Sequence, residues 1–248
     1  MKKIISVFLL GFVPVLALAG GGGVKLDKAD IDLHDQDSLR RGAKLFVNYC
    51  LSCHSAAYMR YNRMGQDLGL TDAQVKENLM FAAEKVGETM TIAMPAEDAK
   101  RWFGTKVPDL SVIARARARG ADWLYSYLRG FHLDGSRPWG VNNSVFKDVG
   151  MPHVLWELEG LKKPVYEVRK NHEGEEEKHI VGFEMVQPGK LSPAEYDLAV
   201  RDLVNFMVYM GEPAKLVRYE IGIWVLLYLA ILFVVAYALK KEYWKDVH

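Results

Sequence analysis

The chain has 248 residues and a formal net charge of +1. A near-neutral balance gives no electrostatic case for nucleic-acid binding. Between two apolar terminal segments lie about 200 residues, the size of one domain, and no internal repeat is discernible.

Lys2 and Lys3 precede an apolar stretch from Ile4 to Leu18, and Ala17-Leu18-Ala19 offers a small-residue cleavage site before Gly20. This is the layout of a secretory signal. Gly11 and Pro14 interrupt the stretch, which argues against a retained anchor. Residues 1–19 are therefore expected to be removed, with 20–211 forming an exported domain and Gly20 to Gly23 a flexible lead. Next, Leu39, Ala43, Phe46, Val47 and Cys50 recur at helical spacing, while Arg40, Arg41, Lys44 and Asn48 take the other face. Asp35 or Asp37 is placed to cap that helix.

The helix ends in Cys50-Leu51-Ser52-Cys53-His54, which holds the only two cysteines of the chain. The C-x-x-C-H spacing offers two thiols for thioether bonds to the vinyl groups of a haem, and an imidazole one residue on to ligate the iron. A redox dithiol or half of a zinc site would use the same pair. The zinc reading lacks a second pair, and the dithiol reading leaves His54 unexplained. Outside the cytoplasm the two thiols would oxidise readily unless haem captured them.

Further helices are expected around Asp72–Lys85 and Leu110–Leu128. A second axial ligand must come from elsewhere, and two of the ten methionines precede proline, Met94-Pro95 and Met151-Pro152. Proline stiffens the backbone beside a ligand, and thioether sulfur is a soft ligand that raises the reduction potential relative to bis-histidine ligation. Met94 sits in a charged stretch, whereas Met151 follows the Gly140-Val141-Asn142-Asn143 loop and precedes apolar Val154-Leu155-Trp156. Pattern alone favours Met151 and leaves His132 and His153 as competitors. Val165, Tyr166 and Val168, then Ile180, Val181, Phe183 and Met185, flank a polar tip ending in Glu173-Gly174-Glu175-Glu176-Glu177. That pattern predicts a β-hairpin. Its acidic end reads either as a solvated loop or as a docking surface for a basic electron carrier.

Ser192-Pro193-Ala194-Glu195 announces another helix with a capping box and proline at its first position. Tyr196, Ala199, Val200, Leu203, Phe206, Met207 and Met210 make its apolar stripe, and Gly211 and Pro213 end it. After a spacer at 212–220, Ile221 to Leu239 carries no charged residue; at about 1.5 Å per residue it spans roughly 28 Å, close to the hydrocarbon thickness of a bilayer. Residues 240–248 form a short tail with Lys240, Lys241 and Lys245. A signal followed by a stop-transfer segment puts the domain outside and the tail in the cytoplasm. The fold class is mainly α: a c-type cytochrome fold with inserted loops, a small β-hairpin and one C-terminal transmembrane helix.

Several stretches together resemble one family. Arg40-Arg41-Gly42, Cys50–Ser55, Tyr58-Met59-Arg60-Tyr61 and Pro108-Asp109-Leu110-Ser111-Val112-Ile113-Ala114-Arg115-Ala116-Arg117 are similar to the haem-attachment region of the cytochrome c1 family. The Met151-Pro152 loop, the Ser192 helix and the terminal span follow in the family's order. The resemblance implies one covalent haem c on Cys50 and Cys53, His54 and Met151 as axial iron ligands, Arg117 paired with a haem propionate, and Pro108 packed against the haem. Trp123 stands where the family often has tyrosine, so a hydroxyl role there does not transfer. The resemblance further implies an electron-carrying subunit, not an enzyme alone, of a quinol–cytochrome c reductase in the bacterial inner membrane. Its haem domain would face the periplasm, with cytochrome b and a Rieske iron–sulfur protein as partners, a cytochrome c as acceptor and a dimeric complex as the assembly. A membrane-anchored cytochrome c serving a terminal oxidase explains the two ends equally well but not Pro108–Arg117. A haem enzyme or ligand sensor would need an open axial position.

Overall fold

The computed structural model describes residues 24–170 and 176–246. The expected leader, and residues 171–175 of the acidic hairpin tip, lie outside the described residues.

Helix α1, Gln36–Leu45, begins where the Asp35 carboxylate accepts a hydrogen bond from the Ser38 backbone N–H at 2.9 Å. It runs on as a π-helical turn, Phe46–Cys50, of the kind often found at functional sites. Leu39, Ala43, Phe46, Val47 and Cys50 are all buried, as their spacing predicts. Near the other end of the domain, α8, Pro193–Gly211, starts with both halves of the Ser192–Glu195 capping box in place. Its residues Tyr196, Val200, Leu203, Phe206, Met207 and Met210 are buried.

The two helices cross at Gly42. A Cβ there would lie 2.0 Å from the Asp202 carbonyl oxygen and 2.7 Å from the Phe206 Cβ, so only glycine permits this approach. Arg41 closes the crossing with an ion pair to the buried Asp202 carboxylate at 2.6 Å. The Phe46 and Phe206 rings meet at 5.6 Å between centroids. This is the pair of terminal helices that a c-type cytochrome fold calls for.

Between them the chain is built of short pieces. Strand β1, Ala56–Arg60, pairs antiparallel with β2, Thr89–Met90, and encloses α2, Tyr61–Asp67, and α3, Asp72–Asn78. The helix expected to reach Lys85 stops at Asn78, because the chain must turn back: Asn62 N–H donates to the Val86 carbonyl and Tyr61 N–H to that of Glu88. Helix α4, Ala96–Phe103, follows Met94-Pro95, with Pro95 at its N-cap.

The helix expected over Leu110–Leu128 is two helices, α5, Ile113–Ala116, and α6, Gly120–Arg129. Arg119 between them takes φ +52°, and a Cβ on Gly120 would lie 1.9 Å from the Ala114 carbonyl oxygen. The chain therefore folds tightly back on α5 instead of continuing it. Strands β3, Phe131–Leu133, and β4, Val141–Asn143, form a small antiparallel pair, and α7, Trp156–Glu159, leads into the hairpin.

The hairpin is longer than predicted: β5, Gly160–Lys170, pairs with β6, Glu176–Pro188. Its base is fixed to the domain by Lys162 Nζ donating to the Arg129 carbonyl at 2.6 Å and by His132 stacked on Phe183. The terminal helix α9 covers Lys215–Tyr243, so the expected spacer 212–220 is helical from Lys215 onward. Among the described residues it is the one helix long and apolar enough to cross a membrane, and its side chains are exposed along its length.

Candidate functional site

The π-helical turn places Cys50 at the edge of the core, and the following turn is closed by Cys53 N–H and His54 N–H donating to the Cys50 carbonyl at 3.1 and 2.8 Å. The two cysteines are not joined in a disulfide. Cys50 is buried, and burial pushes its thiol up to about 12; Cys53 is half-buried.

His54 lies with its Nδ1 2.7 Å from the Pro108 carbonyl oxygen. A carbonyl only accepts, so Nδ1 carries the proton and the lone pair sits on Nε2. Burial lowers the imidazole's basicity, against the opposing effect of that hydrogen bond, so the neutral ring is favoured. That is the state a metal ligand needs.

The Pro108–Ser111 segment is tied to this turn by an interlocked set of bonds. Asp109 accepts from Ala57 N–H at 2.9 Å and from Ser111 N–H at 2.8 Å. The Ser111 hydroxyl accepts from Tyr58 N–H at 3.1 Å, and Leu110 N–H donates to the Ser55 carbonyl at 2.8 Å. The Ser55 hydroxyl in turn accepts from Ile92 N–H at 3.1 Å. Each residue of the Pro-Asp-Leu-Ser motif thus has a structural task that holds the Pro108 carbonyl against Nδ1 of the imidazole. Pro108 itself is exposed.

A second group gathers around Met151. Arg117 places its guanidinium 4.1 Å from the centroid of the Trp123 ring and 5.6 Å from that of Phe146. Trp123 stacks on Tyr127 at 4.8 Å with an interplanar angle of 12°. The Tyr127 hydroxyl donates to the Met151 sulfur at 3.4 Å. Arg117, Trp123, Tyr127 and Met151 are thus contiguous. The neighbouring arginines are engaged elsewhere, Arg115 with Glu212 at 4.0 Å and Arg119 with Asp122 at 3.0 Å.

The competing histidines have other partners. His153 is buried and stacked on Phe131 at 4.9 Å, its Nε2 2.9 Å from Glu159 Oε2 without the alignment of a hydrogen bond. Glu159 also pairs with the buried Lys162. His132 serves the hairpin base: its Nδ1–H donates to the Gly130 carbonyl at 3.1 Å, which fixes a proton on Nδ1. Met94 precedes α4, away in sequence from both groups. The structure therefore brings Cys50, Cys53, His54 and Pro108 together at one turn, and Arg117 with Met151 along one stack.

The donor set fits a covalent haem: two thiols with two residues between them on one turn, an imidazole with Nε2 available, and a thioether sulfur. Sequence reasoning missed Tyr127, which reads as an ordinary core residue on α6. The signal available was its i, i+4 spacing from Trp123, which stacks the rings on one helix face.

The Cytochrome C1 family model matches residues 28–160, the span that contains the turn, the Pro108–Ser111 tie and the Met151 stack. The chain belongs to the cytochrome c1 family. Cytochrome c1 of Allochromatium vinosum is 51% identical over 248 residues, covering 100% of both chains. The ammonia monooxygenase gamma subunit of Nitrosomonas europaea is 46% identical over 248 residues, covering 99% of this chain and 100% of the relative. Cytochrome b/c1 of Bradyrhizobium diazoefficiens is 26% identical over 246 residues, covering 86% of this chain and 34% of that longer protein. Cytochrome c1 proteins carry one covalently bound haem c and serve as electron-transfer subunits. The C-terminal helix fits a single-pass membrane anchor.

Proposed function

We propose that the chain relays single electrons from a Rieske iron–sulfur protein to a cytochrome c within a cytochrome bc1 complex. In this reading Cys50 and Cys53 form the thioether bonds, His54 and Met151 ligate the iron, Arg117 offsets a haem propionate and Pro108 packs at the imidazole side. The observation that carries it is the His54–Pro108 bond at 2.7 Å, which leaves Nε2 as the only nitrogen able to ligate.

Haem c, when bound, supplies the one-electron couple. The residues set its potential and hold it still. Burial favours the neutral His54 ring, and the Pro108 carbonyl fixes the ring's rotation. Met151 offers a soft donor that favours the reduced metal. The Arg117 charge disfavours the extra positive charge of the oxidised state. None of these groups needs to gain or lose a proton for an electron to pass.

The membrane reading follows the same lines. Residues 1–19 act as a cleaved leader, 20–211 as the periplasmic haem domain and 212–220 as the approach to the bilayer. Residues 221–239 span the inner membrane beside cytochrome b, and 240–248 form the cytoplasmic tail of each protomer in a dimeric complex. The Bradyrhizobium relative, named for both cytochrome b and c1, supports the pairing with cytochrome b.

Purification of the tagged full chain from mild-detergent membranes tests the setting. Recovery of cytochrome b and a Rieske subunit is expected; recovery of oxidase subunits would favour an anchored donor to a terminal oxidase. Recovery of monooxygenase subunits would favour the setting named for the Nitrosomonas relative.

A further inference from the structure

Tyr127 is held on three sides. Its ring stacks on Trp123 and meets the edge of Phe131 at 5.2 Å and 69°. Its backbone carbonyl accepts from the buried Asn143 side chain at 2.7 Å. The ring has little freedom to turn, and its hydroxyl is aimed at the Met151 sulfur at 3.4 Å. A phenol keeps its proton at neutral pH, so the hydroxyl is available as a donor. Phe131 in turn stacks on His153, two residues beyond Met151, so α6 and β3 hold the loop at Met151 and just after it.

A thioether sulfur has two lone pairs. One can bind a metal while the other accepts a hydrogen bond. We propose that Tyr127 is a positioning residue for the axial thioether: its hydroxyl selects which sulfur lone pair of Met151 faces the iron and raises the reduction potential. This rests on the reading of Met151 as the axial ligand. The physical cause is direct. Donation draws electron density from the sulfur, and the positive end of the O–H dipole points at that sulfur. Both disfavour the oxidised state, which carries the additional positive charge. Hydrogen bonding around an axial ligand is among the levers by which a protein tunes a haem.

The test uses the full-length holoprotein in three variants. Tyr127→Phe keeps the ring, the Trp123 stack and the Phe131 edge, and removes only the donor. It is expected to lower the reduction equilibrium constant by up to about tenfold, up to about 59 mV for a one-electron couple. It should also shift the iron–sulfur charge-transfer band of the oxidised protein with little change in thermal stability. A ring-fluorinated tyrosine at position 127, a stronger donor of nearly the same shape, should move the midpoint upward. That arm decides the matter even if the phenylalanine variant fails to mature. A packing role alone would not move the midpoint in opposite directions. Unchanged midpoint and band in both variants would overturn the proposal. Met151→Ala separates the two layers: if it abolishes the charge-transfer band while the Tyr127 variants change nothing, only the role of Tyr127 falls. If the band survives Met151→Ala, the ligand reading fails and takes this proposal with it.

Discussion

A histidine that gives its Nδ1 proton to a backbone carbonyl can offer a metal only Nε2, and His54 is held in that state by Pro108. At this scale the motif that the proposal rests on was legible because spacing alone sets it: Cys50, Cys53 and His54 share one turn, where two thiols and an imidazole could meet one porphyrin edge. The Pro-Asp-Leu-Ser motif was legible as a pattern but not as a mechanism, because its long-range hydrogen bonds run to residues 52 to 55 positions away. Tyr127 was only half legible: its i, i+4 spacing from Trp123 marks a stacked pair, but nothing in the sequence separates a hydroxyl donor from a packing residue there.

Two predictions belong here. Met151→Ala is expected to remove the sulfur charge-transfer band of the oxidised protein and to lower its midpoint potential; an unchanged visible spectrum would assign the ligand elsewhere. Arg117→Gln is expected to shift the midpoint downward, because it removes a positive charge from the stack that leads to Met151. A potentiometric titration reads this shift, and a midpoint that stays or rises contradicts the proposed role.

Among the elements, α1 and α8 were recoverable because caps and apolar stripes are local signals, and both helices carry them in full. The break between α5 and α6 was not. Apolar residues keep helical spacing across it, while the turn depends on a left-handed Arg119 and on Gly120 lying against the Ala114 carbonyl. Such a contact has no expression in periodicity.

The α1–α8 crossing makes its own prediction. Gly42→Ala drives a Cβ into the Asp202 carbonyl and should cost about 1–3 kcal/mol or more by overpacking. Thermal unfolding would show it as a lowered midpoint, with the haem-attachment motif itself untouched. The hairpin base adds a pH dependence. Burial lowers the basicity of His132, the Gly130 carbonyl and Asp134 oppose that, and Lys162 reinforces it. The folded state therefore resists the proton that the unfolded state accepts. Stability should be full above about pH 6.5 and fall as pH drops below it. In His132→Gln the fall between neutral and mildly acid pH should be smaller; an undiminished slope would locate the titration in another group.

Over the whole molecule, the arrangement is a haem domain closed by two crossing helices and carried on an apolar helix, α9, whose exposed side chains face outward along its length. The span was legible because an uncharged run of that length has few other uses. Its true extent was not: Arg218 pairs with Glu212 at 2.7 Å at the helix start, and charged residues before Ile221 hid the helical turns that precede the span. The direction of electron flow is also a property of this scale, since it depends on which partners the domain can reach.

Quinol-driven reduction of the c-type haem in isolated membranes tests that flow most directly. With the Rieske subunit present, added quinol is expected to reduce this haem rapidly, and depletion of the Rieske subunit should stop that reduction while cytochrome b still takes electrons. Equal reduction of the haem with and without the Rieske subunit would contradict the proposed relay.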